Sequence, residues 1–167
     1  MIKYKYPTKI NIKEDNQLNI IYNKYFKKTK QEADLNLNKL NLLINKFPKS
    51  ETIIYDKNPI GEITIIPTNL KNMNLFLKEK ISEQELIDNS INKVNLKNFK
   101  CIYLCYFIIL KKYRRKKIIY KQLKKIVKYY IKINPKITLF VWPFSEVGEK
   151  ISKKLSNELN LPIIIKK

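Results

Sequence analysis

The chain contains no histidine, two glycines, two cysteines and 14 acidic residues against 35 basic ones. Each scarcity excludes something. Without histidine there is no imidazole base, no Ser–His or Cys–His nucleophile pair, and little basis for a zinc enzyme site. The two cysteines, Cys101 and Cys105, stand four apart in an apolar run. On a strand that spacing separates their Cα atoms by about 13 Å, beyond the roughly 7 Å a disulfide spans. They are expected to be buried thiols in a reducing compartment, and nothing near them in sequence would lower a thiol pKa. Apolar runs are short as well. The longest, "CIYLCYFIIL" at 101–110, falls well under the roughly 20 residues of a membrane-spanning helix, and "MIKYKYPTK" lacks the apolar centre of a signal peptide. A soluble, cytoplasmic protein without membrane association is expected.

What is abundant is positive charge. A net charge of +21 on 167 residues points to an acidic partner such as a phosphorylated ligand or nucleic acid. Lysine, asparagine and isoleucine nevertheless crowd every segment alike, which also fits a coding bias. Length and a 44% hydrophobic content suit a single domain over 1–167 with a sizeable core.

Periodicity supplies the elements. A short strand is expected in "IKYKYPTKINI", ended by Pro7. Leu18, Ile21, Tyr22, Tyr25 and Phe26 define one amphipathic helix. A second carries Leu40, Leu43, Ile44 and Phe47, with Asp34 as its cap and Pro48 as its stop. "ETIIYDKNPIGEITIIPT" reads as a β-hairpin turning at 56–59, with Gly61 kept for a steric reason. Leu70, Met73, Phe76 and Leu77 mark a helical face, "SEQEL" is a capping box, and "DNSINKVNLKNF" reads as a loop. From 101 onward the order is buried strand, helix, strand, helix, strand. The helix stripe is Ile119, Leu123, Ile126, Val127 and Tyr130, opposed by Lys117, Lys121, Lys124, Lys125 and Lys128. Ser145 caps the last helix. This order predicts an α/β sheet.

The segment "LKKYRRKKIIYKQL" lies where a buried strand passes into a helix. Helix-start amides and the helix dipole attract anions there, and the basic side chains add to the field. A diphosphate is the ligand this arrangement suits. The lysine-rich helix face also suggests weak, non-specific nucleic-acid binding.

The order of elements resembles that of the GNAT superfamily of N-acetyltransferases. "LKKYRRKKIIYKQL" is similar to that family's pyrophosphate loop, with Tyr113, Arg114, Lys116 and Ile118 at matching places, and Ile60–Gly61 is similar to the pair that opens its third strand. The resemblance covers about 51–165 closely and 1–50 in outline. It implies an acyl-CoA N-acyltransferase fold, a mixed twisted sheet with helices on both faces. It also implies acetyl-CoA as co-substrate, no metal, and an unidentified amine as acceptor. The backbone of Tyr106, Phe107, Ile108, Ile109 and Leu110 would hold the pantetheine arm. Arg114, Arg115, Lys116, Lys117, Ile118 and Ile119 would hold the pyrophosphate. Thr68, Trp142 and Ser145 would line the substrate pocket, and Glu62 is the acidic candidate for catalysis. The chain departs from the pattern in carrying Arg115, Lys117 and Ile119 where glycines are usual, and Ser152 where a tyrosine acid is usual. A non-catalytic binding protein on the same fold is the alternative these departures leave open.

Overall fold

The computed structural model describes residues 1–26 and 35–167, apart from the side chains of Phe26, Arg115 and Lys116. Its strands are β1 (Lys3–Lys5), β2 (Glu51–Asp56), β3 (Asn58–Thr68), β4 (Cys101–Ile109), β5 (Thr138–Val141) and β6 (Ile163–Ile165). They form one sheet in the order β1-β2-β3-β4-β5-β6. The first four are antiparallel neighbours, and β5 and β6 add in parallel. Helices α1 (Ile12–Phe26), α2 (Leu37–Lys46), α3 (Leu70–Leu77), α4 (Glu83–Lys93), α5 (Ile118–Ile133) and α6 (Glu146–Leu159) pack on its two faces. Parallel neighbours need crossovers, and α5 and α6 supply them. Among the described residues no helix is long and apolar enough to cross a membrane.

β4 is buried on both faces, as an unbroken apolar run requires. All five residues of the α5 stripe are buried. Gly61 sits in β3 opposite Ile109, and a Cβ there would overlap the carbonyl oxygen of Ile108. The hairpin, the Ser82–Glu85 capping box, the Ser145 cap and the free buried cysteines follow the sequence reading.

Three expectations need correction. The segment read as a loop from Asp88 is helical as far as Lys93. Ser90 is polar yet fills a core position, because its hydroxyl donates to Leu86 O (2.7 Å) and is hydrogen-bonded to the Thr68 hydroxyl (2.8 Å). Leu70 is 49% exposed, and Asn72 takes the buried place instead. Asp34 lies outside the described residues; α2 is capped by Asn36, whose side chain accepts from Lys39 N at 3.1 Å.

Candidate active site

β4 and β5 pair only at Cys101–Thr138, Ile102–Leu139 and Tyr103–Phe140. β4 then runs on to Ile109 along β3, while β5 ends at Val141. Among the described residues, the edge of β4 that faced β5 pairs with no strand from Leu104 onward, which leaves an open edge of the sheet. A cleft of about 710 Å³ fills the opening. A β-bulge marks the point of divergence: Ile65 pairs with Leu104 and Thr64 with Tyr106, leaving Cys105 as the extra residue.

Most of the expected site residues meet here. Tyr106, Phe107, Ile108 and Ile109 form one wall, and Arg114, Lys117 and Ile119 close the α5 end. Trp142 and Ser145 border the opposite side. Trp142 is held between the edge of Phe76 (ring centroids 6.0 Å apart) and the Lys166 ammonium, 4.5 Å from its ring. Leu110 and Ile118 do not reach the cleft, and Ile118 is buried in the core.

The loop takes an unexpected form. A 3₁₀ turn, Lys111–Lys116, leads to Lys117, which adopts a left-handed conformation (φ 53°, ψ 23°) immediately before α5. Glycine favours this backbone, and any other residue strains it. Lys117 therefore stands where the resemblance has glycine and keeps the glycine-like conformation. Ile119 differs: it is 7% exposed, helical and part of the core. Arg114 donates from Nε to Ile109 O (3.4 Å), and its guanidinium lies 4.7 Å from the Tyr25 ring. Tyr25 in turn accepts a hydrogen bond from Lys111 N at 3.1 Å. The side chains of Arg115 and Lys116 lie outside the described residues. Lys117→Gly is expected to stabilise the fold by about 0.5–1 kcal/mol, because glycine removes the left-handed strain but gives the unfolded chain more freedom. Chemical denaturation measures it; an unchanged midpoint would mean Lys117 carries no strain.

Two candidates are placed elsewhere. Thr68 is fully buried opposite Cys101, at the far end of β4, and bonds Asn72 and Ser90. It ties α3 and α4 to the sheet and does not line the pocket. Glu62 is 2% exposed, pairs with Ile108 and lies outside the cleft wall. Burial, then the charge of Asp15, pushes its carboxyl up to about 8.

Sequence reasoning missed several groups. Tyr25 was assigned to a core stripe but lines the cleft, as do Lys150 and Lys154 from α6. Their i,i+4 spacing was a usable signal, since it puts both on one helix face. Glu51 is a second buried carboxyl (1% exposed), raised by burial and by Glu62. Burial, followed by the charges of Glu83, Glu51 and Glu62, also raises the Cys105 thiol. Burial holds Cys101 at about 12. Neither thiol is a nucleophile at neutral pH.

Neither a family model nor a curated protein matches the chain. Among solved structures it is similar to an aminoglycoside acetyltransferase, meta-AAC0020, from an uncultured soil metagenomic sample. In that protein's complex with trehalose the TM-score is 0.54 at 12% identity, over 93% of this chain and 86% of that one. In its complex with sisomicin the TM-score is 0.52, again at 12% identity, over 95% and 86%. With the strand order and the cleft where β5 departs, this likeness gives the chain an α/β fold of the acyl-CoA N-acyltransferase type.

Proposed function

We propose that the protein transfers an acyl group, acetyl in the simplest case, from coenzyme A to an amine. The observation that carries this reading is the cleft between β4 and β5. One wall offers an unpaired strand edge, and the α5 end offers helix-start amides beside Arg114 and Lys117. A pantetheine arm has amides that suit a strand edge, and a diphosphate suits a helix start. Lys150 and Lys154 extend the positive rim. No general base is strictly required for an amine that arrives neutral, because placing it beside a thioester supplies much of the rate. Glu62 is the carboxyl candidate carried from the sequence, and because it stands on β3 outside the cleft wall its role would be indirect.

The test is calorimetry and thermal melting with acetyl-CoA, compared with coenzyme A, AMP and an oligonucleotide, followed by thiol release with a panel of amines. Micromolar to millimolar binding of acetyl-CoA with turnover supports the proposal. No heat and no melting shift at millimolar ligand would overturn it, and binding without turnover would favour the non-catalytic alternative. Arg114→Ala is expected to weaken acetyl-CoA binding by about 1–2 kcal/mol, the scale of one charge-assisted hydrogen bond. Unchanged affinity would place the diphosphate away from this loop.

A second reading rests on α5, where Lys121, Lys125 and Lys128 form an exposed cationic face. Nucleic-acid binding there is expected to be independent of sequence. It should fall by an order of magnitude or more between about 50 and 200 mM salt, since its source is counterion release. A fluorescence titration at two salt concentrations decides it; salt-resistant, sequence-dependent affinity would contradict this account.

A further inference from the structure

Glu51, Thr64 and Tyr106 are direct register partners across β2, β3 and β4, so they form one row across three neighbouring strands. Neighbouring strands lie about 4.8 Å apart, which leaves no room for other side chains within the row. Thr64 Oγ1 donates to Glu51 Oε2, and Thr64 and Tyr106 share a side-chain hydrogen bond. The row begins at a fully enclosed carboxyl, whose Oε1 has no hydrogen-bond partner among the described residues. It ends at Tyr106, which lines the cleft where β4 has left β5. The bulge at Cys105 makes this alignment, because it shifts the alternation of β4 by one position immediately before Tyr106. The Tyr22 ring of α1 meets Tyr106 edge-on with ring centroids 5.5 Å apart, which fixes the phenol.

We propose that Glu51, Thr64 and Tyr106 form a proton relay that takes a proton from the attacking amine and returns it to the departing thiol. The proposal rests on the acyl-transfer reading above. As the amine nitrogen bonds to the thioester carbon, the carbonyl π electrons move onto oxygen. The nitrogen's proton passes to the Tyr106 oxygen while the Tyr106 proton moves to Thr64 Oγ1 and the Thr64 proton moves to Glu51. The tetrahedral adduct then collapses, the C–S bond breaks, and the same chain runs in reverse to protonate the thiolate. The products are an amide and coenzyme A, and Glu51 is regenerated. Tyr106 serves as a neutral conduit throughout, since burial and the charges of Glu62 and Glu51 oppose its phenolate. The relay supplies the acid and base that Ser152 and the histidine-free composition leave missing.

The charged and titratable surroundings come from four elements: Glu62 on β3, Cys105 and Tyr103 on β4, Asp15 and Tyr22 on α1, and Glu83 on α4. Glu62 lies diagonally from Glu51, and two enclosed carboxyls so placed do not both ionise readily. The pair titrates as a unit. Turnover should therefore rise with pH as the pair loses its shared proton.

The experiment uses the intact chain, an amine from the panel that is turned over, and variants shown by melting to be folded. Thr64→Val is expected to lower kcat about a hundredfold, the scale of acid–base catalysis, and to flatten its pH profile while leaving acetyl-CoA binding unchanged. Thr64→Ser restores the hydroxyl and should stay within about threefold of the parent. Glu51→Gln and Tyr106→Phe should each match Thr64→Val, and the pair Glu51→Gln with Thr64→Val should be no worse than either alone, as for residues acting as a unit. Equal losses in Thr64→Ser and Thr64→Val, or additive losses in the pair, would overturn the relay. If no amine is turned over, infrared titration of the buried carboxyl replaces kcat. Acetyl-CoA should raise its midpoint in the parent but not in Tyr106→Phe, and an equal response in both overturns the proposal. Failure of the parent to bind acetyl-CoA would instead reject the acyl-transfer reading.

Discussion

Gly61→Val is expected to lower stability by about 3 kcal/mol or more, at the upper end of what overpacking costs. The cause is steric and not conformational, because Gly61 does not have a positive φ. Its missing Cβ would overlap Ile108 O and stand 3.0 Å from Ile109 Cα. Both obstacles are backbone atoms of β4, which is hydrogen-bonded into the sheet along β3, so a change of rotamer gives no relief. For a domain of this size the loss corresponds to a fall in melting temperature of about 10 °C. Gly61→Ala should move in the same direction by less. On the acyl-transfer proposal, acetyl-CoA affinity should fall as well, since the displaced segment is the cleft wall. Calorimetric melting of both variants checks this; a Gly61→Ala protein within about 0.5 kcal/mol of the parent would show that β4 yields more easily than its pairing implies.

The second large effect is a pH dependence. In the folded protein the Glu62 carboxyl is raised to about 8 by burial and by Asp15, whereas in the unfolded chain it titrates near the ordinary value of about 4.3. Between those values the folded state holds a proton that the unfolded state has lost. This group's contribution is complete below the unfolded pKa and disappears as pH rises through the folded one. Stability should thus decline from about pH 4.3 to about pH 8 and then level off. Glu62→Gln removes this group's share of the dependence and keeps the shape, while the buried Glu51 carboxyl keeps its own. It should be near neutral at about pH 5 and about 2–4 kcal/mol more stable than the parent at about pH 8.5. Denaturant titrations at the two pH values give the difference directly. A gap that stays constant across the range would mean Glu62 is ionised in the folded state throughout.

How much of this was legible depended on whether the signal was local. β4 was readable because an uninterrupted apolar run has few other uses, and α5 because its stripe holds one period over about three turns. The capping box was readable because its partners are three residues apart. The end of α4 was not, since Ser90 occupies a core place by bonding Thr68, a residue distant in sequence. Thr68 itself was misplaced because strand register decides which end of the sheet it occupies, and register is not written in local sequence. The cleft residues after the central strand were found through the basic βα loop and the family resemblance. The row Glu51–Thr64–Tyr106 was invisible for two reasons. It needs the pairing of three strands, and it needs a bulge at Cys105 that no turn or breaker residue announces.

The left-handed strain at Lys117 has company. Among the described residues the positive-φ positions are Lys49, Lys57, Glu79, Lys117 and Asn160, and neither glycine is one of them. The chain retains glycine at 61, where a Cβ collides with backbone, and does without it at positions where the penalty is only about 1 kcal/mol each. The pattern is what compositional drift leaves when each step costs little. For protein engineering it amounts to an unused reserve. Glycine at Lys49 and Lys57 would relieve strain away from the cleft, and the gains should add because the two turns are separate, although Lys49→Gly also gives up its contacts with the Tyr6 and Tyr129 rings. Glu79 is different, because it pairs with Lys166, whose ammonium lies over Trp142. A hardened background of that kind would tolerate disruptive variants in the buried carboxyl row that the natural chain would not survive.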